Sequence, residues 1–398
     1  MYHILFVFLL AGLSHSIAAQ GSTKAAAPKI QVGAERTTEY LPMLKGKKIA
    51  LIVNQTSRVG KVHLVDTLSA LHIQIQRIFA PEHGFRGDAD AGAHVKNTTD
   101  PKTGVEIVSL YGKKQKPSAE DLQGVDMVVF DIQDVGCRFY TFLSTLHYVM
   151  EACSENKVPL LILDCPNPNG YYVDGPVLDM KYRSFVGIAP LPVVHGLTLG
   201  EYAKLAQGEK WIDSAAQLQL TVITCSGYDH RVKYKLPVNP SPNLKNARAI
   251  FLYPSLCFFE GTNVSVGRGT EYPFQVIGSP YADIDSAYTF TPLAKPGATD
   301  PPFKGLVCKG YDLRRYRKEL HTEMVGLNLS YLLKMYASFT DKSVFFLKTD
   351  FFDKLAGTDA LRKQIIDGKT DKEIRDSWQP ALNNYKELRK KYLLYKDF

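Results

Sequence analysis

"MVVFDIQDVGCRFYTFLSTLHYVMEACSENKVPLLILDCPNP", residues Met127 to Pro168, sets the fold class. An apolar run opens it at Met127–Phe130 and another closes it at Leu160–Leu163; between them Phe139, Phe142, Leu143, Leu146, Val149, Met150 and Cys153 recur at helical spacing. Strands that are apolar without alternation are covered on both faces. In strand–helix–strand order this means a parallel sheet with helices on either side. The helix is expected to start near Phe139, with its stripe packed on the sheet as core.

Working outward, similar runs occur in "KKIALIVNQ" (47–55), "IQIQRIFAPE" (73–82), "VEIVSLYG" (105–112) and "PLPVVHG" (190–196). The fold class is therefore α/β, a Rossmann-like parallel sheet domain. Thr198 with Glu201, and Thr370 with Glu373, have the spacing of capping boxes and mark two helix starts. Beyond Trp211 the rhythm changes: "LQLTVITC" (218–225) is one more strand, followed by a Pro-, Asn- and Gly-rich stretch. A chain of 398 residues, 45% hydrophobic, supports two cores. The expected division is a signal peptide at 1–19, a linker at 20–28, a catalytic domain at 29–211 and a smaller α/β or α+β auxiliary domain at 212–398.

The first residues, "MYHILFVFLLAGLSHSIAAQ", carry an apolar run too short to span a bilayer, followed by small residues. This reads as a secretory signal cleaved near Ala18 or Ala19, giving an exported, periplasmic protein with no membrane insertion after cleavage. The net charge of +8 survives that cleavage, since the segment holds no Asp, Glu, Lys or Arg. Such a balance suits an anionic partner. The basic residues are scattered, and the one dense run, Lys386 to Lys391, reads as a solvated helix face, so nucleic acid is not expected as a partner. The six cysteines lack tight spacing and read as buried free thiols.

In an open parallel sheet, ligands bind beyond the carboxyl ends of the strands. Polar residues collect there repeatedly: Asn54, then Glu82, His83 and Arg86, then Asp131, Gln133, Asp134 and Arg138, then Asn167, then His195. No G-x-G-x-x-G, P-loop, G-x-S-x-G, CxxC or HExxH pattern is present, so cofactor chemistry and a standard hydrolase nucleophile lack support. What remains is carboxylate chemistry with cationic helpers and no cofactor. Glu82, beside the apolar "RIFAP" segment, suits a general acid whose pKa is raised by desolvation. The structural alternative pairs it with Arg86, which would shift it the other way. Asp131 and Asp134 precede a helix: one suits a cap, the other a second carboxylate. His83 completes the catalytic candidates. Arg86, Arg138 and Arg268 are candidate anion binders. "FFEGTNVSVGRGTEYPF" (258–274) brings Glu260, Asn263 and Arg268 among glycines; folded over the sheet edge, it would place the site in an interdomain cleft. Tyr140 joins the binding candidates.

Taken together, "LKGKKIALIVNQT", "FAPEHGFRGDADAG", "VDMVVFDIQDVGCRFYTF", "PLPVVHGLTLGEYA", "PSPN" and "YPSLCFFEGTNVSVGRGTEYPF" resemble the NamZ-type exo-β-N-acetylmuramidases. The resemblance runs from about Leu44 to the end and departs at Cys137, Cys165 and Ser255, where the family pattern has Ala, Arg and Gly. It implies a glycoside hydrolase that removes N-acetylmuramic acid from the non-reducing end of peptidoglycan fragments, with Glu82 as the acid and a basic, arginine-bearing cleft for the lactyl carboxylate. Two rival readings stand beside it: a non-catalytic muropeptide-binding protein, and a metal-dependent hydrolase using Asp131, Asp134, His83 and His195 as ligands.

Overall fold

A computed structural model describes residues 29–82, 84–85, 98–285, 288–315 and 326–398. The expected signal and linker, and the candidates His83 and Arg86, lie outside the described residues. In chain order the strands are β1 (Lys48–Val53), β2 (Arg58–Val59), β3 (Val62–His63), β4 (Gln74–Ala80), β5 (Thr98–Thr99), β6 (Glu106–Ser109), β7 (Met127–Asp131), β8 (Leu160–Leu163), β9 (Asp174–Val177), β10 (Pro192–Val194), β11 (Leu220–Ile223), β12 (Val276–Ser279), β13 (Tyr288–Phe290) and β14 (Cys308–Asp312). The helices are α1 (Thr37–Leu44), α2 (Leu64–Ala70), α3 (Phe142–Glu155), α4 (Leu199–Gly208), α5 (Ala247–Leu256), α6 (Ser330–Ala337), α7 (Phe351–Ala356), α8 (Ala360–Ile366) and α9 (Asp371–Lys390).

The main sheet runs β11-β8-β7-β1-β4-β6-β5. All its pairings are parallel except that of the edge strand β5. Successive side chains face opposite ways, as strand geometry requires. Ala50, Ile52, Val128, Phe130, Leu160 and Ile162 enter the larger core with α3 and α4, whereas Ile49, Leu51, Val53, Met127, Val129 and Leu161 enter a second core with α1 and α2. The chain leaves β1 toward β4 on one side and resumes at β7 on the other, so the order reverses between β1 and β7, a doubly wound switch point.

Two expectations need correcting. The run at 190–196 does not join the parallel sheet: β10 pairs antiparallel with β9 in a separate two-stranded ribbon, and β11 takes the outer position beside β8. For the same reason a division at 211/212 cuts the first domain short, since β11 belongs to its sheet. Beyond it stand the antiparallel β12-β14-β13 sheet and helices α5 to α9. Both capping boxes form, at Thr198/Glu201 and Thr370/Glu373. The larger core is continuous between the domains, joining Phe130 and Leu146 to Phe258, Leu332 and Trp378. On α9, Arg389 departs from a solvated face: it is buried and donates to Gly196 O at 2.9 and 2.7 Å, tying the last helix back to the first domain. All six cysteines are free thiols. Among the described residues no helix is long and apolar enough to cross a membrane.

Candidate active site

A cavity of about 790 Å³ lies where the two domains meet. The first domain contributes Glu82, just past β4; Tyr111, just past β6; and Phe139, Tyr140 and Thr141, in the turn ahead of α3. The second contributes Tyr253, Glu260, Arg268 and Phe274, with residues 297–302 completing the wall. The helix after β7 starts at Phe142 rather than near Phe139, and the residues so left in a turn are the ones that reach the cavity.

Glu82 is held by hydroxyls. Thr141 Oγ1 donates to Glu82 Oε2 at 2.6 Å, and Tyr111 also hydrogen-bonds the Glu82 carboxyl. Burial, then the Glu82 charge and that hydrogen bond, then the Glu260 charge push the Tyr111 phenol well above its usual range, so it remains a donor. Across the cavity, Arg268 Nε donates to Glu260 Oε1 at 2.8 Å, and Nη2 makes an ion-pair contact with the same oxygen at 2.7 Å. The guanidinium stacks over Phe274 at 5.0 Å. Tyr253 meets Phe139, Tyr140 and Phe274 edge-on at 5.5, 5.7 and 5.0 Å, giving the pocket a rigid aromatic side. A carboxyl group oriented by hydroxyls and faced by an aromatic wall can donate or accept a proton at one position of a bound, partly apolar ligand.

Models of two domains match the chain: exo-beta-N-acetylmuramidase NamZ, N-terminal, over residues 49–248, and exo-beta-N-acetylmuramidase NamZ, C-terminal, over residues 251–395. The chain belongs to the NamZ family. A curated relative, the peptidoglycan beta-N-acetylmuramidase NamZ of Bacillus subtilis (strain 168), is 39% identical over 389 residues, 92% of each chain. Two crystal structures of DUF1343 family proteins from Bacteroides fragilis NCTC 9343 are similar. One has a TM-score of 0.85 at 46% identity and the other 0.79 at 27%, each covering 93% of this chain and 100% of its own.

Of the residues singled out in the sequence, this NamZ-family chain brings Glu82, Tyr140, Glu260 and Arg268 to the cavity. Asp131 and Asp134, read as catalytic, do not line it, nor do Asn54, Gln133, Asn167 and His195, read as substrate-binding residues. They are buried around the switch point instead. Asn54 Oδ1 accepts from Thr56 N and Oγ1 at 2.9 and 2.6 Å; Gln133 Nε2 donates to Asp134 O and Pro166 O, each at 2.8 Å; Asn167 Nδ2 donates to Leu197 O at 2.8 Å. The loops cross one another out of water there, and these side chains satisfy backbone groups that no helix or sheet serves. Burial pushes Asp131 up to about 8, only partly opposed by the Cys165 thiol, and pushes Asp134 up to about 7 against the Gly136 N–H. Burial, then the Arg389 and Arg138 charges, push His195 down to about 3. His195 is thus neutral, and because its Nδ1 accepts from Leu197 N at 3.2 Å, Nε2 carries the hydrogen.

Arg138 binds no anion. Its fully buried guanidinium donates to Pro176 O, Leu191 O and Leu355 O at 2.9, 2.7 and 2.8 Å. Asn263 Nδ2 donates to Val344 O at 2.7 Å, away from the cavity. Nor is the described lining basic: Arg268 is its only cation, against Glu82, Glu260 and Asp300. Among the described residues no three His, Cys, Asp or Glu side chains gather as a metal site, and His195 Nε2 stands 3.9 Å from Asp134 Oδ2. Tyr111 and Thr141 were missed as site residues, although both lie in the quoted segments "VEIVSLYG" and "DIQDVGCRFYTF", Tyr111 just past β6 and Thr141 just before α3.

Proposed function

We propose that the chain is an exo-acting glycoside hydrolase releasing terminal non-reducing N-acetylmuramic acid from peptidoglycan fragments, with Glu82 as general acid. The observation that carries this reading is the placement of Glu82: a carboxyl group at the cavity between the domains, oriented by Thr141 and Tyr111, in a chain similar to a peptidoglycan beta-N-acetylmuramidase. Glu82 protonates the glycosidic oxygen as the bond to the anomeric carbon breaks, and an oxocarbenium-like centre develops. Asp131 and Asp134 are enclosed, and Glu260 is committed through Oε1 to Arg268. Asp300, the remaining carboxylate of the described lining, is exposed and lies 3.6 Å from Lys304 Nζ. We assign the stabilisation of that centre to the substrate's own acetamido oxygen, a route known among glycosidases.

The experiment is release of chromophore from a β-N-acetylmuramic acid glycoside. Wild type should turn it over, and Glu82→Gln should lose about 10²- to 10⁴-fold in kcat while keeping its melting temperature. Near-normal turnover by the variant would remove Glu82 from the mechanism, and wild type that binds the sugar without releasing chromophore would leave a glycan-binding protein. We also propose export to the periplasm, on the strength of the apolar run and small residues at 1–19. A full-length product that keeps Met1 and stays in the cytoplasmic fraction of the producing cell would contradict it.

A further inference from the structure

Among the described residues, carboxyl groups outnumber cations in the lining of this cavity. The described lining holds Glu82, Glu260 and Asp300 against a single guanidinium. N-acetylmuramic acid differs from N-acetylglucosamine by a lactyl ether that ends in a carboxylate, so repulsion would favour the neutral sugar unless that one cation engages the acid.

Arg268 has the geometry to do so. Its Nε donates to Glu260 Oε1, and Nη2 lies 2.7 Å from the same oxygen. That contact uses the side edge of the guanidinium. The end edge, formed by Nη1 and the second hydrogen of Nη2, has no acceptor among the described residues. The side chain is 18% exposed, and it lines the cavity. Phe274 beneath the guanidinium and Glu260 beside it fix the plane in which the open edge lies. Two parallel N–H groups in a fixed plane are what a carboxylate binds best.

We infer that Arg268 is the specificity-determining residue of the cavity, its open Nη1/Nη2 edge binding the lactyl carboxylate and so selecting N-acetylmuramic acid over N-acetylglucosamine. The inference rests on the proposed function for its substrate. Glu260 is a positioning residue: by occupying the side edge it leaves one orientation for the ligand.

The test compares two ligands on the full mature chain. Binding of free N-acetylmuramic acid and of N-acetylglucosamine is measured by titration calorimetry, alongside turnover of the two chromogenic β-glycosides. Wild type should prefer the acid sugar. Arg268→Gln should lose about 10- to 100-fold in affinity and kcat/KM for the acid sugar, the scale of a charge-assisted hydrogen-bonded contact, with little change for the neutral one. Arg268→Lys keeps the charge without the fork and should fall between them. An unchanged preference in folded Arg268→Gln overturns the inference; should that variant not fold, an unchanged preference in Arg268→Lys does so. Equal or absent binding of both sugars by wild type also overturns it. A wild type that prefers the acid sugar yet cleaves neither glycoside sinks the enzymatic reading and leaves Arg268 in its role.

Discussion

Thr141 Oγ1 and Glu82 Oε2 lie 2.6 Å apart, joining the turn before α3 to the loop after β4. The hydroxyl holds one carboxyl oxygen in place, and Tyr111 adds a second hydrogen bond to the same group. Thr141→Val keeps the branched shape and removes the donor. Losing one such bond should lower kcat by roughly 3- to 10-fold with KM unchanged, and Tyr111→Phe should do the same. Steady-state kinetics on the chromogenic glycoside decide it; a wild-type kcat in the double variant would mean that neither hydroxyl orients Glu82.

Arg138 ties the two domains together rather than holding a ligand. Its acceptors Pro176 O and Leu191 O lie in the first domain, while Leu355 O lies in α7, whose residues Phe351 and Leu355 line the cavity. Arg138→Met removes the guanidinium from Pro176 O, Leu191 O and Leu355 O, of which Leu191 O keeps the Leu178 N–H at 3.0 Å. Denaturant unfolding should show a loss of about 3–5 kcal/mol. Gly357→Ala approaches the same guanidinium from the other side, because a Cβ there would stand 2.7 Å from Arg138 Nη2 at a backbone φ of +75°. It should cost about 1–3 kcal/mol. Full stability in both variants would show that the domains are held elsewhere.

Much of this architecture was legible in the sequence because its signals are local. The run Met127–Phe130, the stripe through Val149 and Cys153, and the capping boxes at Thr198 and Thr370 each depend on neighbours a few residues away. Pro192–Val194 was read into the wrong sheet because a short apolar run reports burial and not its partner. At the site, Glu82, Glu260 and Arg268 were legible as charges placed beside glycine or proline. Asp131, Asp134 and His195 look the same in sequence whether they face a ligand or seal a loop crossing; their burial decides it, and burial is tertiary. Tyr111 and Thr141 were hidden for the converse reason, being ordinary residues made functional by a partner some 30 and 60 positions away.

The buried acid Asp131 should leave a signature in stability against pH. Its folded pKa, about 8, lies above the unfolded carboxylate value, so the folded chain holds a proton that the unfolded chain has released. This contribution is fully present below about pH 4, the unfolded value, and is lost as pH rises toward the folded one. In that window each such group lowers the unfolding free energy by about 1.4 kcal/mol per pH unit. Asp131→Asn removes the titration, so its melting temperature relative to wild type should climb steadily from pH 4 to pH 8. A constant offset across that range would show Asp131 ionised in the folded protein.

The wall at 297–302 depends on one close approach. Asn243 Nδ2 of the first domain donates to Gly297 O at 2.8 Å, and Gly297 has φ +82° with its missing Cβ directed at Pro242 Cβ, 2.4 Å away. No side chain fits without moving one of the two backbones, and the residues that follow, Ala298 to Pro302, are themselves cavity lining. Gly297→Ala should therefore push that wall outward, breaking the Asn243 contact and widening the pocket while leaving Glu82, Thr141 and Tyr111 where they are. The expected outcome is a rise of several-fold in KM for the muramic acid glycoside with kcat within about twofold of wild type, because binding shared by ground and transition states is what is lost. Asn243→Ala, which removes the hydrogen bond and keeps the close packing, should give a smaller change in the same direction. A fall in kcat at unchanged KM would instead place residues 297–302 in contact with the reacting bond, and the wall would no longer be a passive boundary.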